Sequence, residues 1–568
     1  MMTIQSFDFL FQGTRRTVAG IVCLSTMALL AACGGDQSAS VPPPSASGEK
    51  TISIERFRAD VEALSSDQFG GRLPATEGED LTVAYLIDGF QSAGLVGGND
   101  GSFVQEVPLV AITATGVSPL RFATEGKALT LAGGEDAVLW TKRVVEKIEL
   151  EKSPLVFVGY GIVAPEYGWN DYADVDVEGK TVVVLVNDPG FATGNDSLFT
   201  GRRMTYYGRW TYKFEEAARQ GAAGVIVVHE TEAAGYPWSV VTGSWTGEQF
   251  DLDPEDGNAS RSAIESWISE PAARQLFALS GQDYAVLRDS AASQQFRAIE
   301  LGSTVSASLT NSIERSKSRN VVATLPGRVK DETVAFSAHW DHLGTVDNGT
   351  EDGIYNGAVD NATGTAALLE MARILGASEH RRSYLFIAVT AEEQGLLGSA
   401  WYANNPTVSL GKMAGLINID AMSVIGPTND VAVIGFGSSS LEDLLAEAAS
   451  KQDRRLAAES SPEKGFFYRS DHFNFAKKGV PVLYAKSGVD HIEKGREYGL
   501  AAAAKHTAER YHQPSDEIHD GWDFGGIEQD LTLYLEVART LGNSESWPEW
   551  REGNEFRATR ELSDEERH

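Results

Sequence analysis

Val334-Ala335-Phe336-Ser337-Ala338-His339-Trp340-Asp341-His342-Leu343-Gly344 is the stretch on which the reading of the chain turns. An apolar run stops abruptly in His-Trp-Asp-His. Short, continuous apolar runs read as buried strands. Polar residues crowded at the carboxyl end of such a strand sit where open α/β sheets bind ligands.

The pattern recurs downstream. Residues 384–390 form a second apolar run, followed by Glu392 and Glu393. Residues 415–419 form a third, followed by Asp420, and residues 480–485 a fourth. Helix-forming stretches alternate with these runs at 362–375, 396–404 and 441–451, which predicts an α/β sheet from Asn320 onward. Asp360 precedes the first of these helices, and His512 lies much later, in Tyr511-His512-Gln513-Pro514-Ser515-Asp516. Carboxylates gathered at one sheet edge repel each other. A dication removes that repulsion, and imidazole with carboxylate suits zinc. Such a ligand set can hold two metals if one carboxylate bridges them, and a metal pair can share and acidify a water.

Upstream, residues 54–64 and 79–93 have helical periodicity, separated by a Gly70-Gly71-Arg72-Leu73-Pro74 turn. Residues 105–310 are β-rich, with a helix predicted at 213–220 and a strand at 224–228. No catalytic cluster stands out there. Trp238, Trp245 and Trp267 read as core or rim packing, with a cleft-lining role as the alternative.

The 568 residues predict two or three domains. A formal net charge of −32 argues against nucleic acid as a partner. Arg15 and Arg16 precede an apolar run at 18–32 that is too short to span a bilayer comfortably and ends Leu30-Ala31-Ala32-Cys33. This resembles a bacterial lipobox, with Cys33 as the lipidated residue. The expectation is a signal peptide at 1–32, a Ser/Pro/Gly-rich tether at 33–51 and attachment to the cell envelope through lipid, with Gly34 leaning towards the outer membrane. The only other cysteine, Cys23, lies inside the signal, so no disulfide is expected.

Ser-Ala-His-Trp-Asp-His, Ala-Val-Asp-Asn-Ala-Thr-Gly, Thr-Ala-Glu-Glu-Gln-Gly, Asn-Ile-Asp, Ser-Asp-His-Phe-Asn-Phe and Tyr-His-Gln-Pro-Ser-Asp follow one another in that order. In this order they resemble the di-zinc exopeptidases, the family of bacterial leucyl aminopeptidase and glutamate carboxypeptidase II. Gly-Tyr-Gly-Ile-Val at 159–163 and Ala-Arg-Gln-Gly-Ala-Ala-Gly-Val-Ile-Val at 218–227 resemble a protease-associated domain. One departure is Ala421, which stands between Asp420 and Met422 where many members have Met directly after Asp.

The resemblance implies an α/β fold: a mixed sheet flanked by helices, with an inserted β-rich protease-associated domain. The implied layout is a helical part at 52–105, the insert and its flanking strands at 106–310, the catalytic domain at 311–543 and a weakly packed charged tail at 544–568. It implies two zinc ions bridged by Asp360, one completed by His339 and Asp420, the other by Glu393 and His512. It assigns Glu392 as general base to a metal-bridging hydroxide, Asp341 as the residue orienting His339, and Tyr511 as an oxyanion donor. It also implies a cis peptide between Asp360 and Asn361. His342, His472, His491, His506 and His519 match no ligand position and read as structural.

The implied activity is removal of amino-terminal residues from peptides. A carboxypeptidase or dipeptidase of the same mechanism is the first alternative. Arg469, Lys464, Lys486 and Arg496 are then candidates to hold a free carboxylate. A non-catalytic binding ectodomain like the transferrin receptor, and a glutaminyl cyclase, are the others.

Overall fold

The computed structural model describes residues 51–346 and 352–567. The expected signal peptide, Cys33 and residues 34–50 of the tether lie outside them. The apolar runs become neighbouring strands. Val329–His339 runs parallel to Arg382–Val389 on one side and to Met413–Asn418 on the other. Val482–Ser487 extends this parallel set, and Ile299–Leu325 closes its other flank antiparallel.

These strands are apolar almost without alternation because both faces of the sheet are covered. Val334, Phe336 and Ala338 point into one core with Phe57, Leu86, Leu368 and Leu531 of the flanking helices Ile54–Leu64, Glu77–Ser92, Thr363–Gly376 and Gly525–Asn543. Ala335, Leu385 and Leu416 point into the opposite core with Tyr402, Phe473 and Phe475. Successive residues therefore serve opposite layers, as the two-residue strand period requires.

Residues 120–309 build a second layered lobe. Lys147–Phe157, Thr181–Leu185, Gly224–His229 and Ile264–Ser269 run parallel, with Ala137–Trp140 antiparallel at the edge. Apolar cores cover both of its faces. The lobe is β-rich as expected, but Trp210–Arg219, Glu270–Leu279 and Tyr284–Ala291 make it an α/β layer as well. Trp267 is buried in its core, and Trp245 stacks on Trp140 with ring centroids 4.1 Å apart at the wall of a cavity.

Ile299–Leu325 belongs to both lobes. Its first part pairs with Lys147–Phe157, its middle with Val104–Val117 and its end with Arg382–Val389. The expected boundary at 310 falls inside this strand, which continues without a break.

The charged tail corrects the sequence reading. Trp550 and Phe556 are buried in the core that holds Tyr402, and Arg560 is 1% exposed. Charge density concealed two apolar anchors spaced widely enough to escape a periodicity search.

Candidate metal centre

The predicted side chains meet at the carboxyl ends of the parallel strands. His339 is the last residue of Val329–His339, and Glu392 and Glu393 follow Arg382–Val389. Asp420 follows Met413–Asn418, and Asp360 lies in the turn that opens helix Thr363–Gly376. The peptide between Asp360 and Asn361 is cis, as the resemblance implied.

Asp360 divides its two oxygens. Oδ1 lies 3.2 Å from His339 Nε2, and Oδ2 lies 3.3 Å from His512 Nε2. His339 Nε2 is 3.5 Å from Asp420 Oδ1, and His512 Nε2 is 3.1 Å from Glu393 Oε2. A tetrahedral zinc with ligands at about 2.0–2.1 Å requires donor atoms about 3.3 Å apart. In the triads His339–Asp360–Asp420 and Asp360–Glu393–His512, the two edges that meet at each histidine, 3.1–3.5 Å, match that length, and the donor chemistry is that of zinc.

Looser groupings also occur: His339, Glu392 and Asp420, and His342, Asp360 and Glu393, each gather within 4.8 Å. The tighter edges are the better guide. His342 Nδ1 sits 2.6 Å from Glu393 Oε1, a hydrogen-bond distance too short for two ligands of one ion.

The electrostatics fit a cation site. Burial pushes Glu392 well above the usual carboxylate range, and the charges of Glu393, Asp420 and Asp471 add to it against His339. Burial also raises Asp341 to about 7, with His339 opposing and Glu393 reinforcing. Burial and the Asp360 charge push Glu393 up, yet His342 and His512 outweigh them and hold it at about 2. Burial would lower His512, but Asp360 and Glu393 hold it at about 10.

Asp341 meets His339 through its backbone rather than through its carboxylate. His339 Nδ1 meets the Asp341 carbonyl at 3.2 Å, while the carboxylate Oδ1 stands 3.8 Å away, beyond hydrogen-bonding distance. The carboxylate instead accepts from the backbone N–H of Glu392 at 3.2 Å and of Glu393 at 3.4 Å. It thereby ties two strand ends together. Tyr511 stacks on His512 with centroids 3.9 Å apart and remains 48% exposed, open to a substrate.

Several positioning residues escaped the sequence reading. Arg72, placed in a mere turn, is 1% exposed. Its guanidinium donates to the carbonyls of Leu64, Trp340, Asn356 and Gly357 at 2.7–2.9 Å. Burial lowers it to about 10, against the pull of Asp516, Asp341, Asp360 and Glu393. Gly71 makes the approach possible, since a Cβ there would lie 2.4 Å from the Gly344 carbonyl. Asp516 accepts from the backbone of Val359 and Asp360, which links the Asp360 turn to the His512 segment.

A polar chain runs from Ser337 through Asn418 to Ser470, whose hydroxyl donates to Asp420 Oδ2 at 2.5 Å. Ser470 therefore supports Asp420, one of the candidate metal donors. His342, read as structural, is buried against Glu393. Among the described residues its buried Nε2 has no partner, and its ring packs over Gly357, where a Cβ would clash at 2.6 Å. The only sequence signal for it was its place in His-Trp-Asp-His. His472 is buried between the rings of Phe467 and Tyr484, and His491 accepts from the backbone of Glu493 and Lys494.

Residues 320–528 match the profile of peptidase family M28. A protein of Leptosphaeria maculans named a probable zinc metalloprotease is 28% identical over 235 residues, 39% of this chain and 53% of that protein. Leucine aminopeptidase 2 of Trichophyton rubrum is 27% identical over 235 residues, 39% of this chain and 45% of its own length. The chain thus spans about half the length of these curated relatives. Among solved structures, an aminopeptidase from Aneurinibacillus sp. strain AM-1 covers 88% of this chain and 96% of its own at 19% identity, with a TM-score of 0.48. Both donor triads lie within residues 320–528, the stretch that matches the profile of peptidase family M28.

Proposed function

We propose that this protein is an exported, co-catalytic di-zinc aminopeptidase, tethered to the cell envelope through Cys33. The observation that carries the catalytic part is the division of Asp360 between two donor triads. His339, Asp360 and Asp420 would hold one zinc, and Asp360, Glu393 and His512 the other. Bound there, the ions would acidify a shared water and polarise the scissile carbonyl.

The chain's own residues do the rest. Glu392, protonated readily because of its burial, accepts the water's proton and returns it to the leaving amine. Tyr511, whose phenol is kept protonated by partial desolvation and the surrounding carboxylates although its edge is open to solvent, can donate to the oxyanion. Asp341 keeps Glu392 and Glu393 in register with the His339 strand end. A transferrin-receptor-like binding role fits less well, because such a role leaves no reason for two intact donor triads.

The test is hydrolysis of leucine anilide and free peptides, against amino-terminally blocked peptides, with and without a chelator and added zinc. Cleavage only of free amino termini, lost on chelation and restored by zinc, is the expected result. Cleavage of blocked peptides would favour the carboxypeptidase alternative, and full activity in metal-free protein would overturn the reading. Export is tested separately: Cys33→Ser should release the protein from the membrane fraction.

A further inference from the structure

We propose that the free edge of strand Ala137–Trp140 in the second lobe, with the cavity it borders, binds an extended, uncharged stretch of another polypeptide as an added strand. The site shares no residue with the metal centre, and the inference does not rest on the peptidase reading.

The cavity has a volume of about 370 Å³, within the roughly 300–1,000 Å³ of ligand pockets. Five consecutive residues, Ala137 to Thr141, line one wall. Side chains of a strand alternate between its faces. Here Ala137 and Leu139 enter one core of the lobe, and Val138 and Trp140 enter the other. Five in a row therefore meet the cavity through their backbone edge, not through a face. The strand is last in its sheet. It pairs with Ile264–Ser269 on one side, and among the described residues no strand pairs with its other side. The opposite wall comes from the ribbon between the lobes, through Ile112, Ala114 and Val117 of Val104–Val117.

The register shows which backbone groups are open. Ala137 N–H donates to the Ala132 carbonyl at 3.2 Å, and the Ala137 carbonyl accepts from Gly134 N–H at 2.8 Å. Both groups therefore point away from Ile264–Ser269 and are satisfied by the strand's own turn. In an antiparallel pair the inward and outward residues alternate. Val138 and Trp140 then face the ladder, and Leu139 faces the cavity. Among the described residues the Leu139 N–H and C=O have no partner, although Leu139 is only 4% exposed. Buried backbone groups are nearly always paired, and an open N–H and C=O on a sheet edge are what an added strand takes. Trp140 brings a third unpartnered group, its buried Nε1.

The walls select the occupant. Among the described residues no charged side chain lines the cavity, although 23% of the chain is charged. Trp245 is fixed at its wall by stacking on Trp140 at 4.1 Å and by edge-on packing against Trp210 at 4.7 Å. A small apolar molecule would fill the space and leave Leu139 unpaired. A charged peptide would lose hydration and gain no counter-charge. An extended peptide with aliphatic side chains meets both demands.

The test is calorimetric binding of acetyl-Val-Thr-Val-Thr-Val-amide to the full-length protein. Blocked at its amino terminus, this peptide offers an aminopeptidase nothing to cleave. N-methylation of each amide in turn should find one position where binding weakens about 10-fold, the loss of one buried hydrogen bond. Leu139→Pro removes the outward N–H at an edge position, where proline is tolerated. Ala114→Phe fills the cavity. Each should weaken binding about 10-fold or more with little change in thermal unfolding, and Leu139→Val should bind as the wild type does. Acetyl-Lys-Thr-Lys-Thr-Lys-amide should bind more weakly than the valine peptide. No binding of the valine peptide at millimolar concentration overturns the proposal. A flat N-methyl scan does so as well, and it needs no variant to fold. Affinity unchanged in both Leu139→Pro and Ala114→Phe, or equal affinity for the lysine peptide, also overturns it. Self-association of the protein that the peptide reverses would give the edge to a second copy and overturn the separate partner.

Discussion

Replacing His342 by Leu removes one hydrogen bond, the 2.6 Å contact from Nδ1 to Glu393 Oε1, and leaves the ring's volume largely filled. Glu393 is held ionised at about 2, so the bond is charge-assisted and the imidazole is its donor. Hydrogen bonds to charged groups contribute about 1.5–3 kcal/mol. Lost from a carboxylate that must stay oriented towards an ion, that becomes an affinity loss of about 10–150-fold. The loss should fall on the zinc proposed for Asp360, Glu393 and His512. The zinc proposed for His339, Asp360 and Asp420 should be spared, because His342 makes no hydrogen bond to His339 or Asp420. Zinc titration against a competing chelator, read as two occupancy steps, measures both. Thermal unfolding of the chelated protein controls for the fold. His342→Asn, whose Nδ2 takes the place of ring Nδ1, should recover most of the affinity. Two unchanged binding steps in His342→Leu would refute the reasoning.

Other outcomes follow from the same geometry. Glu392→Gln should keep both metals while lowering kcat by about 10²–10⁴-fold, whereas Glu393→Gln should weaken one metal; reversed phenotypes in metal analysis and kinetics would exchange their roles. Arg72→Met leaves four carbonyls without their donor and should cost about 4 kcal/mol or more in urea unfolding, with an unchanged midpoint counting against the strut. Hydrogen bonds from Arg381 and then Arg382 hold Glu332 below its ordinary 4.5. The unfolded state therefore takes up the proton first, so this contribution is complete above that pH and is lost as pH falls through the folded value. Glu332→Gln should flatten the fall in melting temperature between about pH 5 and about pH 3, and a parallel fall in both proteins would count against it.

The donor triads were legible because strand ends announce themselves: an apolar run that stops at His339, at Glu392 or at Asp420 fixes both the strand and the direction its last side chains face. Asp360 and His512 needed the family resemblance, since neither follows an apolar run. Arg72 was not legible, because its role depends on four carbonyls from three separate segments and a turn glycine gives no hint of them. The tail failed differently: its charges are conspicuous, while Trp550 and Phe556 are too sparse to show a period.

The strand Ile299–Leu325 has a mechanical consequence. Between the lobes it forms a two-stranded ribbon with Val104–Val117, edged by Glu248–Leu252. Such a ribbon twists readily but cannot lengthen without breaking its ladder. Hinge motions use a few residues free to change φ and ψ, and a hydrogen-bonded ladder offers few of them. With a second anchorage where Met204 and Pro462 meet, the two lobes behave like a frame fixed at two corners. The spacing between the second lobe and the strand ends that carry His339, Glu393 and Asp420 is then set by the fold rather than by whatever binds there.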